Sequence, residues 1–255
     1  MRKHIITLTI ALLGLTFVSF MASDSIVLRF KPQVGKTLTC QVKSTQVMSI
    51  SMQGQSMNTT QIVESKSEMT ATKVTADSVF CETQMKTMKL TSSAMGMTMV
   101  YDSEHPEKTS PLLAASVKDF QDAIDKKIAF SCDVKGNTKA TGSGTPSFSA
   151  IYPEEAVSVG SHWTSDYTQD ISGTEMNVTM TYTVTKITKK ETTISLEGVI
   201  ESSVASGTNS GTMVVDNATG ITKTSTIKTD LEMTISEQGI SIPTTVSGTT
   251  TITIE

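Results

Sequence analysis

The chain has 255 residues, of which 37% are hydrophobic, 18% charged and 5% aromatic, and its formal net charge is −4. Threonine (43 residues) and serine (32 residues) dominate, and the β-branched threonine fits a pleated strand better than a helix, which argues against a helical bundle. Only 6 prolines and a low net charge argue against a disordered chain, and the lack of a basic excess argues against nucleic acid as a partner.

Residues 1–23 have the layout of a secretory signal peptide. Arg2 and Lys3 precede an apolar stretch from Ile5 to Phe20, and small residues follow at Ala22 and Ser23. The sequence therefore predicts an exported protein, periplasmic or extracellular, with an uncleaved N-terminal anchor as the alternative. Removing this segment leaves 19 basic and 25 acidic residues, a net charge of −6, and no later apolar run long enough to cross a bilayer.

From residue 26 onward, apolar and polar residues alternate with a period of two. One face of the first long run carries Leu38, Cys40, Val42, Gln46, Met48, Ile50 and Met52. Such alternation is typical of long antiparallel strands with one packed and one solvated face. Glycine- and asparagine-containing turns separate the runs, and the pattern predicts an all-β, mainly antiparallel fold of about a dozen strands.

Three cysteines, Cys40, Cys81 and Cys132, occupy strand positions where a small buried apolar residue is expected. An odd number excludes a complete disulfide framework. We expect buried free thiols, and the alternative is one disulfide with a cysteine left over.

Methionine is concentrated in one part of the chain, with nine of the 15 methionines between Met48 and Met99. Methionine is an adaptable filler of irregular cores and pockets, which is the preferred interpretation. Thioethers also bind Cu(I), and Met95, Met97 and Met99 are expected on one strand face. A copper site at these three residues is therefore the alternative.

One stretch breaks the alternation. Leu113, Val117, Phe120 and Ile124 have the spacing of an amphipathic helix, with Ser110 as N-cap and Pro111 at the first helical position. The sequence predicts a helix near residues 111–126. It would plug an open face or end of the sheet or, alternatively, form a lid over a cavity.

Two segments of the chain look duplicated. Val34-Gly35-Lys36-Thr37-Leu38 is similar to Val159-Gly160-Ser161-His162-Trp163, and each opens a long alternating run. The prediction is two tandem β units, at residues 24–146 and 147–255, with the helix in the first unit. They could form two sandwich-like halves or one curved half-barrel.

The paired Val-Gly openings, the Tyr152-Pro153 turn and the turn from Asp216 to Gly220 resemble an uncharacterised bacterial family of secreted, Thr- and Met-rich β proteins. The resemblance covers about residues 26–255 and implies no activity. More remotely, long antiparallel strands curled around a helix look like the half-barrel of periplasmic lipoprotein carriers. That architectural similarity says little about function.

The sequence offers few groups for catalysis. His105 and His162 are the only histidines after residue 23, and neither belongs to a nucleophile, zinc, phosphate or dinucleotide motif. We therefore expect no catalytic residue, no resident metal and no cofactor.

The leading interpretation is an exported non-enzymatic protein that binds an apolar small molecule or a cell-envelope component. The residues expected at the cavity or its lid are Met48, Met52, Met85, Met97, Met99, Leu113, Val117, Phe120 and Ile124. A structural or interaction module of the envelope without a ligand is the first alternative, and the copper-binding protein is the second. The oligomeric state is left open.

Overall fold

The computed structural model describes residues 25–52, 55–124, 126–139, 150–171, 174–237 and 240–255. The predicted signal peptide lies outside these residues, as does most of the predicted join between the two β units. The strands are β1 (Thr37–Met52), β2 (Gln55–Val74), β3 (Ser78–Ala94), β4 (Met97–Asp102), β5 (Lys127–Asp133), β6 (Thr138–Lys139), β7 (His162–Ile171), β8 (Thr174–Ile187), β9 (Glu191–Glu201), β10 (Ala205–Asp216), β11 (Thr222–Glu237) and β12 (Ile240–Ile254). The all-β prediction, including its count of strands, is confirmed.

All twelve described strands belong to one antiparallel sheet. Its order is β6-β5-β3-β2-β1-β12-β11-β10-β9-β8-β7, and β4 pairs with β3. The two predicted units meet where β1 pairs with β12 over eleven residue pairs, from Cys40–Ile254 to Ile50–Thr244. One continuous sheet therefore spans both units, and the duplication itself stays a prediction.

The segments 25–36 and 150–160 cover one end of the sheet, at the start of β1. Leu28, Phe30 and Tyr152 are buried there among the apolar side chains of both units. The Arg29 guanidinium donates to the carbonyl oxygens of Pro153 (2.8 Å) and Glu154 (2.6 Å), which ties the two segments together. We call this end of the sheet the plugged end, and its burial supplies most of the core.

The registers define which residues share one face of the sheet, which we call the inner face because it carries most of the buried side chains. One row across it, counted from β7 to β4, contains Tyr167, Val178, Ile200, Gly207, Leu231, Val246, Met48, Thr59, Ala94 and Met97. In the second unit the centre of this row is buried, with Val178 and Leu231 almost inaccessible, whereas Tyr167 at the sheet edge is 38% exposed. In the first unit Met48 is half-buried and Met97 is 60% exposed. Along this row the inner face is therefore covered at the centre of the second unit and open in the first.

Two glycines of β10 allow strand β11 to approach closely. A Cβ on Gly207 would collide with the carbonyl oxygen of Asp230, and a Cβ on Gly211 with that of Thr226. Both glycines lie on the inner face, opposite Leu231 and Ile227. A side chain at either position would force the two strands apart, so glycine is required for this close approach.

The predicted helix exists and is shorter than expected. A 3-10 turn at Pro111–Leu113 leads into α1 (Ala114–Ala123), and extended backbone at Ile124 ends it before β5 begins at Lys127. Ser110 lies at the N-cap position, but its hydroxyl accepts a hydrogen bond from the Val100 amide (2.9 Å) instead of capping the helix. Ser110 thus fixes the helix start to β4.

All three cysteines are buried and unbonded, which confirms the prediction of free thiols. Burial raises the pKa of Cys40 and of Cys81 to about 11. Burial, together with the neighbouring Cys81 and Asp133, raises the pKa of Cys132 to about 12. These thiols behave as small apolar residues of the core.

Within the part of the chain that the structure describes, no helix is long and apolar enough to cross a membrane.

Candidate ligand-binding site

Helix α1 lies on the inner face of the first unit and touches the sheet at two points. The Phe120 ring packs on the Tyr101 ring of β4, with centroids 4.8 Å apart, and the backbone of Ile124 pairs with that of Met85 in β3. Every residue of α1 is at least partly exposed, so the helix packs on the surface of the sheet and is not buried in it. The apolar stripe predicted from the sequence is its sheet-facing side.

A cavity of about 470 Å³, which we call the Tyr101 cavity, lies along one flank of α1. Val117 and Ile124 line it from the helix side, and Tyr101 lines it from β4. The loop from Ser103 to Pro111 provides much of the remaining wall. Its size is in the range of small-molecule sites, roughly 300–1,000 Å³.

A second cavity of about 410 Å³, the Met85 cavity, lies along the other flank. Met85 and Ile128 line it from the sheet, and Asp119 and Asp122 line it from the helix. Its sheet side mixes apolar and hydroxyl-bearing residues, and its helix side is charged. The two cavities together place open space on both sides of the short helix.

The structure brings only part of the predicted site together. Met85, Val117, Phe120 and Ile124 contact or line the space around α1. Leu113 is half-buried at the start of the helix. Met48, Met97 and Met99 lie farther along the open inner face, beyond Tyr101. The side chain of Met52 is outside the described residues.

The three methionines of the copper alternative do not share a strand face. Met95 and Gly96 form the turn between β3 and β4, both with positive φ (52° and 78°), and Met95 is 76% exposed. Such a two-residue turn matches the twist of a hairpin, so the strand alternation stops at Ala94. Met97 and Met99 resume it on β4. The expectation of one Met95–Met97–Met99 face is therefore wrong.

Sequence reasoning missed the polar groups of the Tyr101 cavity. The hydroxyls of Tyr101 and Thr109 are both buried and have no hydrogen-bond partner among the described residues, and both residues line this cavity. Lys86 lines it too, because Lys86 is the extra residue of a bulge where Thr87 pairs with Lys66 and Met85 with Ser67. The sequence signal was weak, since neither an unpaired hydroxyl nor a bulge leaves a pattern in the chain.

A polar concavity of about 610 Å³ lies on the outer face, where His105 meets Glu64, Asp102 and Glu104. Histidine beside carboxylates is an arrangement that catalysis can use. Here Glu64 pairs with Lys43 (2.8 Å) and Asp102 with Lys89 (3.5 Å), and the His105 ring is 3.4 Å from exposed Glu107. Glu64 and Asp102 thus belong to a cross-strand ladder of opposite charges that stabilises the sheet.

Asp102 is the buried member of this ladder, with 6% of its surface exposed. Burial alone would raise its pKa. The Glu104 amide, which donates to its carboxylate at 3.1 Å, and the Lys89 ammonium outweigh burial and lower the pKa. Asp102 is therefore held charged at the base of the loop that walls the Tyr101 cavity.

Comparisons with known proteins bear out the resemblance to an uncharacterised family. Residues 137–232 match a family described as a family of unknown function, DUF6263. No curated protein matches the chain.

Among solved structures, one titled "Lipid-protein interactions in lipovitellin" is similar in fold over 88% of this chain, with a TM-score of 0.50 and 8% sequence identity. The chain spans about a quarter of the length of that structure, since the match covers 25% of it. The likeness shows that the curled antiparallel sheet also occurs in a much larger protein.

Proposed function

We propose that the protein is an exported, non-enzymatic carrier or receptor of an apolar molecule, and that it binds the acyl chain of a lipid on the open inner face of its first unit beside α1. Nucleic acid is not a partner in this proposal, and no cofactor takes part. The proposal rests on one observation above all, the difference between the two units.

In the second unit, apolar side chains of the inner face bury one another. Its inner residues Val178, Ile200 and Leu231 are buried by one another. In the first unit the same row continues through half-buried Met48 to Met97, which is apolar and 60% exposed. An apolar face of this kind is stabilised when it is covered, and methionine adapts to ligands of varied shape.

Helix α1 can cover such a ligand because its own burial is small. It rests on the sheet through Phe120 and Ile124, with space on both flanks. A structure whose title names lipid–protein interactions shares the fold, and this supports the choice of a lipid over other apolar molecules. The resemblance to lipoprotein carriers supports the same class.

The experiment is a titration of the purified protein with N-phenylnaphthylamine, an apolar dye that fluoresces when it leaves water. We expect saturable binding by the wild type and at least a 10-fold weaker affinity for the double variant Phe120→Asp, Ile124→Asp, because two charges would enter the apolar space. The control is Leu112→Asp, which adds a charge at a residue that is 72% exposed and next to the helix. Circular dichroism checks that each variant is folded.

Equal dye binding by the folded double variant would contradict the proposed site. Absence of saturable binding by the wild type would favour the structural or interaction module. Retention of stoichiometric Cu(I), lost when Met95, Met97 and Met99 are replaced by leucine, would favour the copper-binding protein instead.

A further inference from the structure

The wall of the Tyr101 cavity mixes apolar and polar residues, and two of them carry buried hydroxyls for which the described residues offer no partner. Tyr101 is only 2% exposed, and its hydroxyl has no hydrogen-bond partner among the described residues; the same holds for the buried hydroxyl of Thr109. A buried hydroxyl without a partner destabilises the protein, so two of them in one cavity are more stable when a bound group accepts their hydrogen bonds.

The Tyr101 ring is held in place by contacts that do not involve its hydroxyl. It packs on Phe120, pairs through its backbone with Leu90, and precedes the buried Asp102. The ring position is thus set by the core, and a phenylalanine would serve that packing equally well. The hydroxyl is the part of Tyr101 that packing does not explain.

Charge around the cavity indicates which headgroup fits. Lys86 lines the cavity, and so does Glu104, while the carboxylate of Asp102 is close enough to Tyr101 to act on it. Burial and that carboxylate raise the pKa of Tyr101, so its hydroxyl keeps its proton and can donate. The Asp102 charge is balanced by Lys89, which lies 3.5 Å away. Lys86 and Glu104 bring one charge of each sign to the wall, so the lining has no net charge and favours a neutral oxygen acceptor.

We propose that the Tyr101 cavity binds the neutral, oxygen-bearing headgroup of an acyl lipid, such as the ester carbonyl of an acylglycerol, through hydrogen bonds donated by the hydroxyls of Tyr101 and Thr109. This inference rests on the proposed function and adds the class of lipid. The acyl chain then leaves the cavity along the inner face, toward Met99 and Met97, which precede Tyr101 on the same face of β4.

The experiment compares monoolein with oleate, which share one acyl chain and differ in the charge of the headgroup. Binding is measured by displacement of N-phenylnaphthylamine and by native mass spectrometry of the purified protein. We expect the wild type to prefer monoolein. Tyr101→Phe and Thr109→Val should each weaken monoolein binding roughly 2- to 10-fold, the loss of one neutral hydrogen bond. The loss of monoolein affinity should exceed any change in direct binding of the dye, because the dye carries no oxygen acceptor for these hydroxyls.

Tyr167→Phe is the matched control, because Tyr167 lies on the inner side of β7 in the second unit, far from α1 in the sheet order. Unchanged monoolein affinity in Tyr101→Phe and Thr109→Val, with the dye still bound, would overturn this inference and leave the proposed function standing. A preference of the wild type for oleate would also overturn it. Failure of the dye to bind the wild type would refute the proposed function, and the headgroup site with it.

Discussion

Gly220 is the position where a single methyl group should damage the plugged end most. It ends the turn between β10 and β11 with a φ of +63°, and a Cβ there would collide with the carbonyl group of Arg29. Its own carbonyl oxygen accepts a buried hydrogen bond from the Tyr152 hydroxyl at 2.7 Å. Gly220→Ala therefore disturbs the turn and both segments that fill this end of the sheet.

Two contributions set the size of the effect. The left-handed conformation costs an L-residue about 1–2 kcal/mol. Pushing the Arg29 backbone aside adds about 1–3 kcal/mol, the usual cost of overpacking. The expected loss in the free energy of unfolding is therefore about 2–5 kcal/mol, a large part of the roughly 5–15 kcal/mol that stabilises a typical protein.

Gly160→Ala separates the two contributions. Gly160 has a φ of +90°, and a Cβ there would have no neighbour within 4 Å among the described residues. It should lose only the conformational part, about 1–2 kcal/mol. Urea unfolding followed by the fluorescence of the single tryptophan, Trp163, reports on this region, because its indole donates to the Ile151 carbonyl oxygen. Equal losses in the two variants would refute the close packing of Gly220 against Arg29.

Two further predictions concern titrating groups. The folded-state pKa of Asp102 is lowered, so the stability it contributes is present above the pKa of the unfolded chain and is lost as pH falls through the folded pKa. Acid unfolding of Asp102→Asn should therefore depend less on pH than that of the wild type, and parallel curves would contradict the pairing with Lys89. At pH 8 a thiol with a pKa of about 11 has roughly a 100-fold lower thiolate fraction than a thiol with the ordinary pKa of 9.0. Because iodoacetamide reacts with the thiolate, it should modify the native cysteines slowly and the urea-unfolded cysteines at least 100-fold faster. Rapid modification of Cys40 or Cys81 in the native protein would show that their burial is wrong.

Alternation of apolar and polar residues was enough to predict the strands, because a two-residue period determines which side chains face inward whatever the partner strand is. It also located α1, whose stripe of Val117, Phe120 and Ile124 has no strand equivalent. Alternation could not show where a strand turns. Met95 continued the pattern perfectly, but the left-handed conformation of Met95 and Gly96 makes it part of a hairpin turn.

The site depended on features that a single sequence does not encode locally. In the sequence, Tyr101 looks like any other inward-facing aromatic residue. Whether its hydroxyl has a hydrogen-bond partner depends on residues that are distant in the chain, and the described residues provide none. Lys86 enters the cavity only because a bulge shifts the register of β3 against β2. Ser110 is typical of a helix N-cap in the sequence. In the structure its hydroxyl instead accepts a hydrogen bond from the Val100 amide.

The pairing of β1 with β12 has a consequence for how the molecule forms. Ser44 and Thr250, joined by a 3.0 Å hydrogen bond at this seam, are 206 residues apart in sequence. Closing so long a loop makes the contact order of the sheet high, and high contact order slows folding. During synthesis one edge of β1 stays unpaired until β12 has left the ribosome. The centre of the sheet is therefore the last part of the chain that can become complete, and until then its strand edge is open to pairing with other chains.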